Sequence, residues 1–189
     1  MENISFHITG KAPLLMHADR GVNTLDDDTK ELKKFTKKRT KTDDDTNTIA
    51  RLEWALVMYF DDTIGPYIPS DVVLATLREG AKSMKKAKDI VKAVQIIEDK
   101  LPLQYTGPRT HAKMWDAKFY LIRTVKNQQN RIMRCRPKFD EWSIDVSMVY
   151  DEEIIDRDIV VQAMEYAGQY CGFCDFRPRF GRFEIEVTN

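Results

Sequence analysis

The segment near the C-terminus contains the residue types best suited to binding chemistry. It reads Arg177-Pro178-Arg179-Phe180-Gly181-Arg182-Phe183, so arginines and aromatic residues alternate around one glycine. A guanidinium makes planar, two-pronged contacts with phosphate and stacks on bases, and phenylalanine rings add stacking faces. The candidate nucleic-acid-binding residues here are Arg177, Arg179, Arg182, Phe176 and Phe180. The alternative is that the rings belong to the core and the arginines pair with the abundant carboxylates.

Glycines and cysteines in the same region suggest two further roles. Gly168, Gly172 and Gly181 would allow a ligand to approach the backbone closely. Cys171 and Cys174 form a Cys-x-x-Cys pair, but the pair follows a predicted helix, so no helix dipole lowers the thiol pKa values. A zinc site would need two more ligands, and no second Cys-x-x-Cys supplies them, although Cys135 and His111 could in principle complete one. We predict two structural thiols, no metal and no cofactor.

Two more basic groups are candidates for contacts with nucleic acid. Arg131, Arg134 and Arg136 occur in a stretch with the alternation of a strand. Lys85 and Lys86 belong to a basic run at the end of a predicted helix. The competing explanations are a solvated hairpin for the arginines and a solvated helix end, favoured by the helix dipole, for the lysines.

Motifs for catalysis are absent from the sequence. It contains no G-x-S-x-G elbow, no H-E-x-x-H pair and no phosphate-binding loop. Of the three histidines, His17 and His111 are weak candidates for the general base of a metal-independent ribonuclease. Their spacing does not support that role, and His7 falls on the polar face of a strand. We therefore predict a protein that is not an enzyme.

Composition restricts the class of protein. The 189 residues carry 30 Lys+Arg and 30 Asp+Glu, so the net charge neither favours nor excludes a polyanionic partner. No apolar stretch approaches the roughly 20 residues that cross a bilayer, and the N-terminus is unlike a signal peptide. Three cysteines, an odd number, argue against a disulfide framework. We expect a cytoplasmic protein of a bacterial host cell with no membrane partner.

Periodicity predicts the elements that must position these side chains. Alternation indicates strands at about 4–9, 142–149 and 183–187. Helical spacing indicates a helix after residue 69, capped by Ser70 or Asp71, and another from Asp156 or Asp158 to Gly168.

Other segments are predicted less completely. Thr48 is expected to cap a helix to about residue 60, although 54–60 fits a strand as well. Residues 90–103 are expected to form a strand or a buried crossing, and 127–130 a hairpin loop. Residues 19–48, with opposite charge blocks and few apolar side chains, are expected to form an exposed insertion, and whether it is ordered is left open.

Together these elements predict a single domain over residues 1–189. Without the charged insertion and the extra hairpin, their order is βαββαβ, the split βαβ pattern. The predicted fold class is α+β, with a ferredoxin-like or RNA-recognition-like βαββαβ core.

Three short motifs carry a resemblance to a known family. Gly10-Lys11-Ala12-Pro13-Leu14-Leu15-Met16-His17 follows the first strand, Tyr67-Ile68-Pro69-Ser70-Asp71 leads into a helix, and Phe180-Gly181-Arg182-Phe183 precedes the last strand. The chain resembles the repeat-associated mysterious protein (RAMP) superfamily, which forms the RNA-binding backbone and processing subunits of CRISPR effector complexes. It is also similar to proteins encoded by phages and prophages. The resemblance implies a RAMP-like fold and RNA binding, although Asp71 and the small number of loop glycines depart from the family pattern.

Three functional hypotheses follow. The first is a non-catalytic, phage-encoded protein that binds single-stranded RNA, or less readily DNA, and assembles with copies of itself along that ligand. The second is a phage protein that binds and inhibits a host defence complex, as an anti-CRISPR protein does. The third is a metal-independent RNA endonuclease.

Overall fold

The structure is a computed structural model that describes residues 1–127 and 130–188. The strands are β1 (Glu2–Gly10), β2 (Leu14–Leu15), β3 (Phe60–Asp61), β4 (Gly65–Pro69), β5 (Val94–Ile96), β6 (Lys100–Pro102), β7 (Tyr120–Asn127), β8 (Asn130–Phe139), β9 (Ser143–Tyr150) and β10 (Phe183–Val187). The α-helices are α1 (Asp27–Thr36), α2 (Asp43–Leu56), α3 (Ser70–Ala81), α4 (Ala87–Ala93), α5 (His111–Asp116) and α6 (Arg157–Tyr166). None of the helices in the described residues is both long enough and apolar enough to cross a membrane.

The chain divides into two compact units. The first unit contains residues 1–14, 60–106 and 140–188, and the second contains residues 15–59, 107–127 and 130–139. The single domain predicted from the sequence stays a prediction.

A four-stranded sheet organises the first unit. Its strand order is β10–β1–β9–β5, and each neighbouring pair is antiparallel. Helices α3 and α4 follow β1 and precede β5 in the chain, and α6 connects β9 to β10. A second, three-stranded antiparallel sheet has the order β3–β4–β6. The predicted α+β class, with antiparallel sheets, is confirmed.

Alternation along the central strands separates a core face from a polar face. The buried side chains are Ile4, Phe6 and Ile8 on β1 and Ile144, Val146 and Met148 on β9. Because a slip of one residue would turn this apolar set toward solvent, the burial of one face fixes the register. Ile8 accordingly faces Ile144 on one side and Ile185 on the other. The strands predicted from alternation are therefore present.

Helices α3 and α6 approach closely at Gly80. A Cβ atom at this position would collide with the carbonyl oxygen of Ala163 and would lie 2.9 Å from the Cβ of Ala167. The helix α3 is present, but the predicted cap is wrong. Pro69 occupies the N-cap position without a side-chain hydrogen bond, and the Ser70 N–H donates to the carbonyl oxygen of Asp99 at 2.9 Å.

Two other segments of the first unit differ from expectation. Residues 90–103, predicted as a strand or a crossing, contain the end of α4 and the short strands β5 and β6. Helix α6 starts after Asp156, as predicted, but it continues into a π-helical turn over Ala167–Cys171.

The β7–β8 hairpin and α2 form the core of the second unit. The hairpin pairs from Tyr120 opposite Pro137 to Asn127 opposite Asn130, and residues 128 and 129 of the predicted loop lie outside the described residues. The buried indole of Trp54 donates a hydrogen bond to the carbonyl oxygen of Phe119 at 2.8 Å. This contact ties α2 to the start of the hairpin.

The charged segment 19–48 contains α1 and the beginning of α2. The Asp26 carboxylate accepts the Thr29 N–H at 3.0 Å, and Thr42 and Asp45 form a reciprocal capping box with two bonds of 3.1 Å. The acidic triplet 43–45 therefore lies in the first turn of α2, and the triplet 26–28 occupies the N-cap and first turn of α1, where the helix dipole favours negative charge. The predicted cap at Thr48 and the strand option for 54–60 are wrong, because α2 runs from Asp43 to Leu56.

Candidate nucleic-acid interface

The closing loop, defined here as residues 172–182, connects the π-helical turn to β10. Both of its ends are fixed by the first unit. The buried ring of Phe173 stacks on Phe183 with ring centroids 4.4 Å apart. The Phe173 N–H donates to the carbonyl oxygen of Gly181 at 2.9 Å, and the Gly181 N–H donates to that of Pro13 at 2.9 Å. The residues between these anchors are held in a defined place.

The glycines of this region serve the chain's own packing. Gly181 has a φ of 73°, and a Cβ atom there would collide with the carbonyl oxygen of Phe173. A Cβ atom at Gly168 would collide with the carbonyl oxygen of Phe183. The prediction that these glycines leave space for a ligand is therefore wrong at both positions, because neighbouring backbone fills that space.

The arginines of the closing loop are available to a ligand. Arg177, Arg179 and Arg182 are exposed, and none of them forms a salt bridge with a carboxylate in residues 1–127 or 130–188. The guanidinium of Arg179 lies 5.9 Å from the ring centroid of Phe180. Phe180 and Phe176 are half-buried and meet edge to face at 6.4 Å. Cations and partly exposed rings therefore lie in one short segment. Proteins that bind single-stranded nucleic acid use this combination.

The hairpin arginines are placed differently. Arg134 lies 3.0 Å and Arg136 3.6 Å from the carboxylate of Glu53 on α2, whose other oxygen accepts the Cys135 N–H at 3.2 Å. Arg136 is only 6% exposed. These two arginines are therefore committed to an internal ion pair, while Arg131 is exposed opposite Lys126.

The two candidate lysines lie beyond the end of α3 in the first unit. Lys85 is exposed and adopts a left-handed conformation with a φ of 60°. Lys86 is half-buried, and its ammonium lies 3.0 Å from the Asp89 carboxylate. Of these two lysines, Lys85 is the one that forms no salt bridge within the described part of the chain.

The two histidines considered as general-base candidates lie in different surroundings. His17 lies with Nε2 at 3.3 Å from a guanidinium nitrogen of Arg136, and His111 packs edge-on against Trp54 at 5.7 Å. His7 has a carboxylate partner, since its Nδ1 lies 2.6 Å from the Asp145 carboxylate. Sequence alternation placed His7 on a polar face, but only the pairing of β1 with β9 reveals its partner.

The cysteines are suited to packing. Burial raises the pKa of Cys171 and raises the pKa of Cys174 to about 12, so both remain neutral thiols near neutral pH and are poor nucleophiles. Within the two described ranges, no group of three His, Cys, Asp or Glu side chains is arranged to hold a metal ion.

Comparisons with known proteins define the class of fold. No protein-family model and no curated protein matches the sequence. A chain in the cryo-electron microscopy structure of the type III-B Cmr-beta bound to cognate target RNA does match, with a TM-score of 0.55 and 11% sequence identity. The match covers 99% of this chain but 60% of that chain. The protein therefore has an α+β fold similar to that of the matched chain, and it spans 60% of the matched chain's length.

Proposed function

We propose that this protein binds single-stranded nucleic acid, RNA in preference to DNA, through the closing loop and without catalysis. One observation carries the proposal: Arg177, Arg179 and Arg182 are exposed and form no salt bridge in the described residues. The competing explanation required these arginines to neutralise carboxylates. Among the candidate arginines, Arg134 and Arg136 are the ones that pair with a carboxylate, that of Glu53.

The chemistry follows from the groups in the loop. Guanidinium groups hold phosphates at fixed geometry, and the half-buried rings of Phe176 and Phe180 offer stacking faces that accept any base. Anchoring of the loop by Phe173 and Gly181 lowers the entropy lost on binding. Such a surface binds a strand with little sequence preference and with strong dependence on salt.

The preference for RNA rests on the structural neighbour. That neighbour is a chain of the Type III-B Cmr-beta structure, which is bound to cognate target RNA. The match covers 99% of the present chain. A RAMP-like role in RNA binding is the function that this likeness supports best. The absence of catalysis is part of the proposal.

The test is fluorescence anisotropy of a labelled single-stranded RNA across a salt series. Wild type is compared with the double variant Arg177→Ala/Arg179→Ala. Loss of two phosphate contacts should reduce the slope of log K against log salt by about 1.4, since each contact on a single strand contributes about 0.7. Affinity at low salt should fall at least about tenfold.

The control removes two cations elsewhere. Lys33→Ala/Lys34→Ala changes two exposed lysines of α1 and gives the same net charge as the test variant. It should keep the wild-type affinity within about twofold, because the proposed contacts are local. Equal losses in the two double variants would show that net charge, and not the closing loop, determines binding.

A further inference from the structure

A polar pocket lies beside the closing loop. Its volume is about 550 Å³, within the range of pockets that take small ligands. Its lining includes Glu79 from the end of α3, Tyr170 from the π-helical turn, and Asp175, Phe176 and Arg177 from the loop. All of these residues belong to the first unit.

The backbone around this pocket is held in unusual conformations. Ala167–Cys171 forms a π-helical turn, a feature that is rare and concentrated at functional sites. Cys174 and Phe176 have φ values of 60° and 55° although neither is glycine. Left-handed conformations of such residues cost free energy and cluster at ligand-binding sites. Phe176 lines the pocket and has one of these two backbone conformations.

The charged groups of the pocket have separate tasks. Asp175 is used by the loop itself, since its carboxylate accepts the Phe176 N–H at 3.0 Å. Glu79 is partly exposed and bonded to Lys82 at 2.6 Å. That bond, with a smaller effect from the charge of Arg177, holds the pKa of Glu79 below its ordinary value. Glu79 is therefore an ionised acceptor with lone pairs still available.

A carboxylate beside aromatic rings selects among bases. A carboxylate only accepts hydrogen bonds, so it fits a base edge with adjacent donors. Guanine presents N1–H and an amino group side by side on its Watson–Crick edge, whereas adenine and cytosine present one amino group next to an acceptor. Uracil presents one N–H between two carbonyl oxygens, which would face the carboxylate with like charge. Base edges of this kind are read in splayed single strands.

We propose that this pocket is a base-reading subsite that takes one guanine of the bound strand. Glu79 accepts the two guanine donors, Tyr170 and Phe176 provide the stacking surfaces, and Arg177 contacts the adjoining phosphate. The inference rests on the proposed function, because the guanine is delivered by a strand that the closing loop holds. It adds a preference that phosphate contacts and stacking alone would not give.

The experiment compares two labelled oligonucleotides. One is an oligouridine of twelve residues, and the other carries a single central guanosine in the same context. Wild type should bind the guanosine oligonucleotide about tenfold more tightly, the value expected from a two-pronged base contact. In Glu79→Gln the two oligonucleotides should bind with equal affinity. The amide NH2 group would face one of the two guanine donors, so the two-pronged contact is lost. Glu98→Gln, an equal charge change at an exposed position outside the pocket, should keep the preference.

A second variant tests the ring. Phe176→Gly accepts the positive φ and removes the stacking face, so it should also lower the preference for guanosine several-fold. Equal binding of the two oligonucleotides by wild type, or a preference that persists in Glu79→Gln, would overturn the inference while leaving the proposed function in place. Failure of wild type to bind either oligonucleotide would overturn both.

Discussion

Glu53 determines what two of the hairpin arginines do. Its carboxylate contacts Arg134 and Arg136 and accepts the backbone N–H of Cys135. Both Glu53 and Arg136 are buried, at 8% and 6% exposure. A buried charge that keeps its partner is tolerated, whereas one that loses its partner is strongly unfavourable. The basic character of this hairpin is therefore partly structural.

Replacing Glu53 should destabilise the fold. In Glu53→Ala the Arg136 guanidinium loses its buried counter-ion, and we expect the free energy of unfolding to fall by about 3 kcal/mol or more. Urea unfolding followed by circular dichroism measures this change. Arg131→Ala, an exposed arginine of the same strand, serves as the control and should change stability by less than about 0.5 kcal/mol. A Glu53→Ala loss as small as that of the control would contradict the assigned ion pair.

The sequence left two explanations for Arg177 and Arg179, contact with a ligand or pairing with carboxylates. The structure shows both side chains exposed, and their part in binding stays a prediction. The pairing of Arg136 with Glu53 was not visible, because it depends on packing between α2 and a strand far along the chain. The His7–Asp145 pair likewise depends on cross-strand register.

Helix packing in the first unit depends on one small residue at the element scale. Gly80 on α3 lies so close to the backbone of α6 that any side chain at this position would push the two helices apart. Helix α6 leads directly into the π-helical turn and the closing loop. The spacing of α3 and α6 therefore sets where the loop begins.

Gly80→Ala should separate these helices. The added methyl group would overlap the Ala163 carbonyl oxygen, and we expect a destabilisation of about 1–3 kcal/mol. Thermal or urea unfolding measures it. Gly21→Ala is the matched control, because the nearest atom to its added Cβ would be 4.0 Å away. If both variants were equally stable, the close approach of α3 and α6 would be refuted.

Periodicity predicted the elements that have one buried face. Strands β1, β9 and β10 and helix α6 were visible because burial imposes a repeat of 2.0 or 3.6 residues. Helix α1 was not visible, since Thr29 is its only buried residue and its stability comes from an N-cap and ion pairs. The cap of α3 was misassigned because the N-cap residue is Pro69. Pro69 has the extended backbone conformation of an N-cap residue but forms no side-chain capping hydrogen bond.

The whole molecule has balanced charge, and much of it is paired. Hydrogen bonding by Arg20 holds the pKa of Asp26 below its usual range, and bonding by Lys38 does the same for Asp45. A carboxyl group whose pKa is lowered by folding stabilises the folded state above its unfolded pKa. That contribution disappears as the pH falls through the folded pKa. The net charge of zero is thus compatible with a local excess of free cations in the closing loop.

Acid should therefore destabilise the protein. The urea midpoint is expected to stay nearly constant from pH 7 to about 5 and to fall below about pH 4, where these carboxylates become protonated. Asp45→Asn should be less stable at pH 7 and should show a smaller fall on acidification, because its amide does not titrate. An identical pH dependence in the variant and in wild type would contradict the role of the Lys38–Asp45 pair.

If the closing loop holds a single strand, bases of the bound RNA lie against its side chains. Photo-crosslinking with an RNA that contains 4-thiouridine, followed by mass spectrometry, identifies the amino acids in contact with bases. We expect adducts within residues 172–182, centred on Phe176 and Phe180, and their loss in Arg177→Ala/Arg179→Ala. Crosslinks confined to other segments, or none under conditions where the RNA is bound, would contradict this expectation.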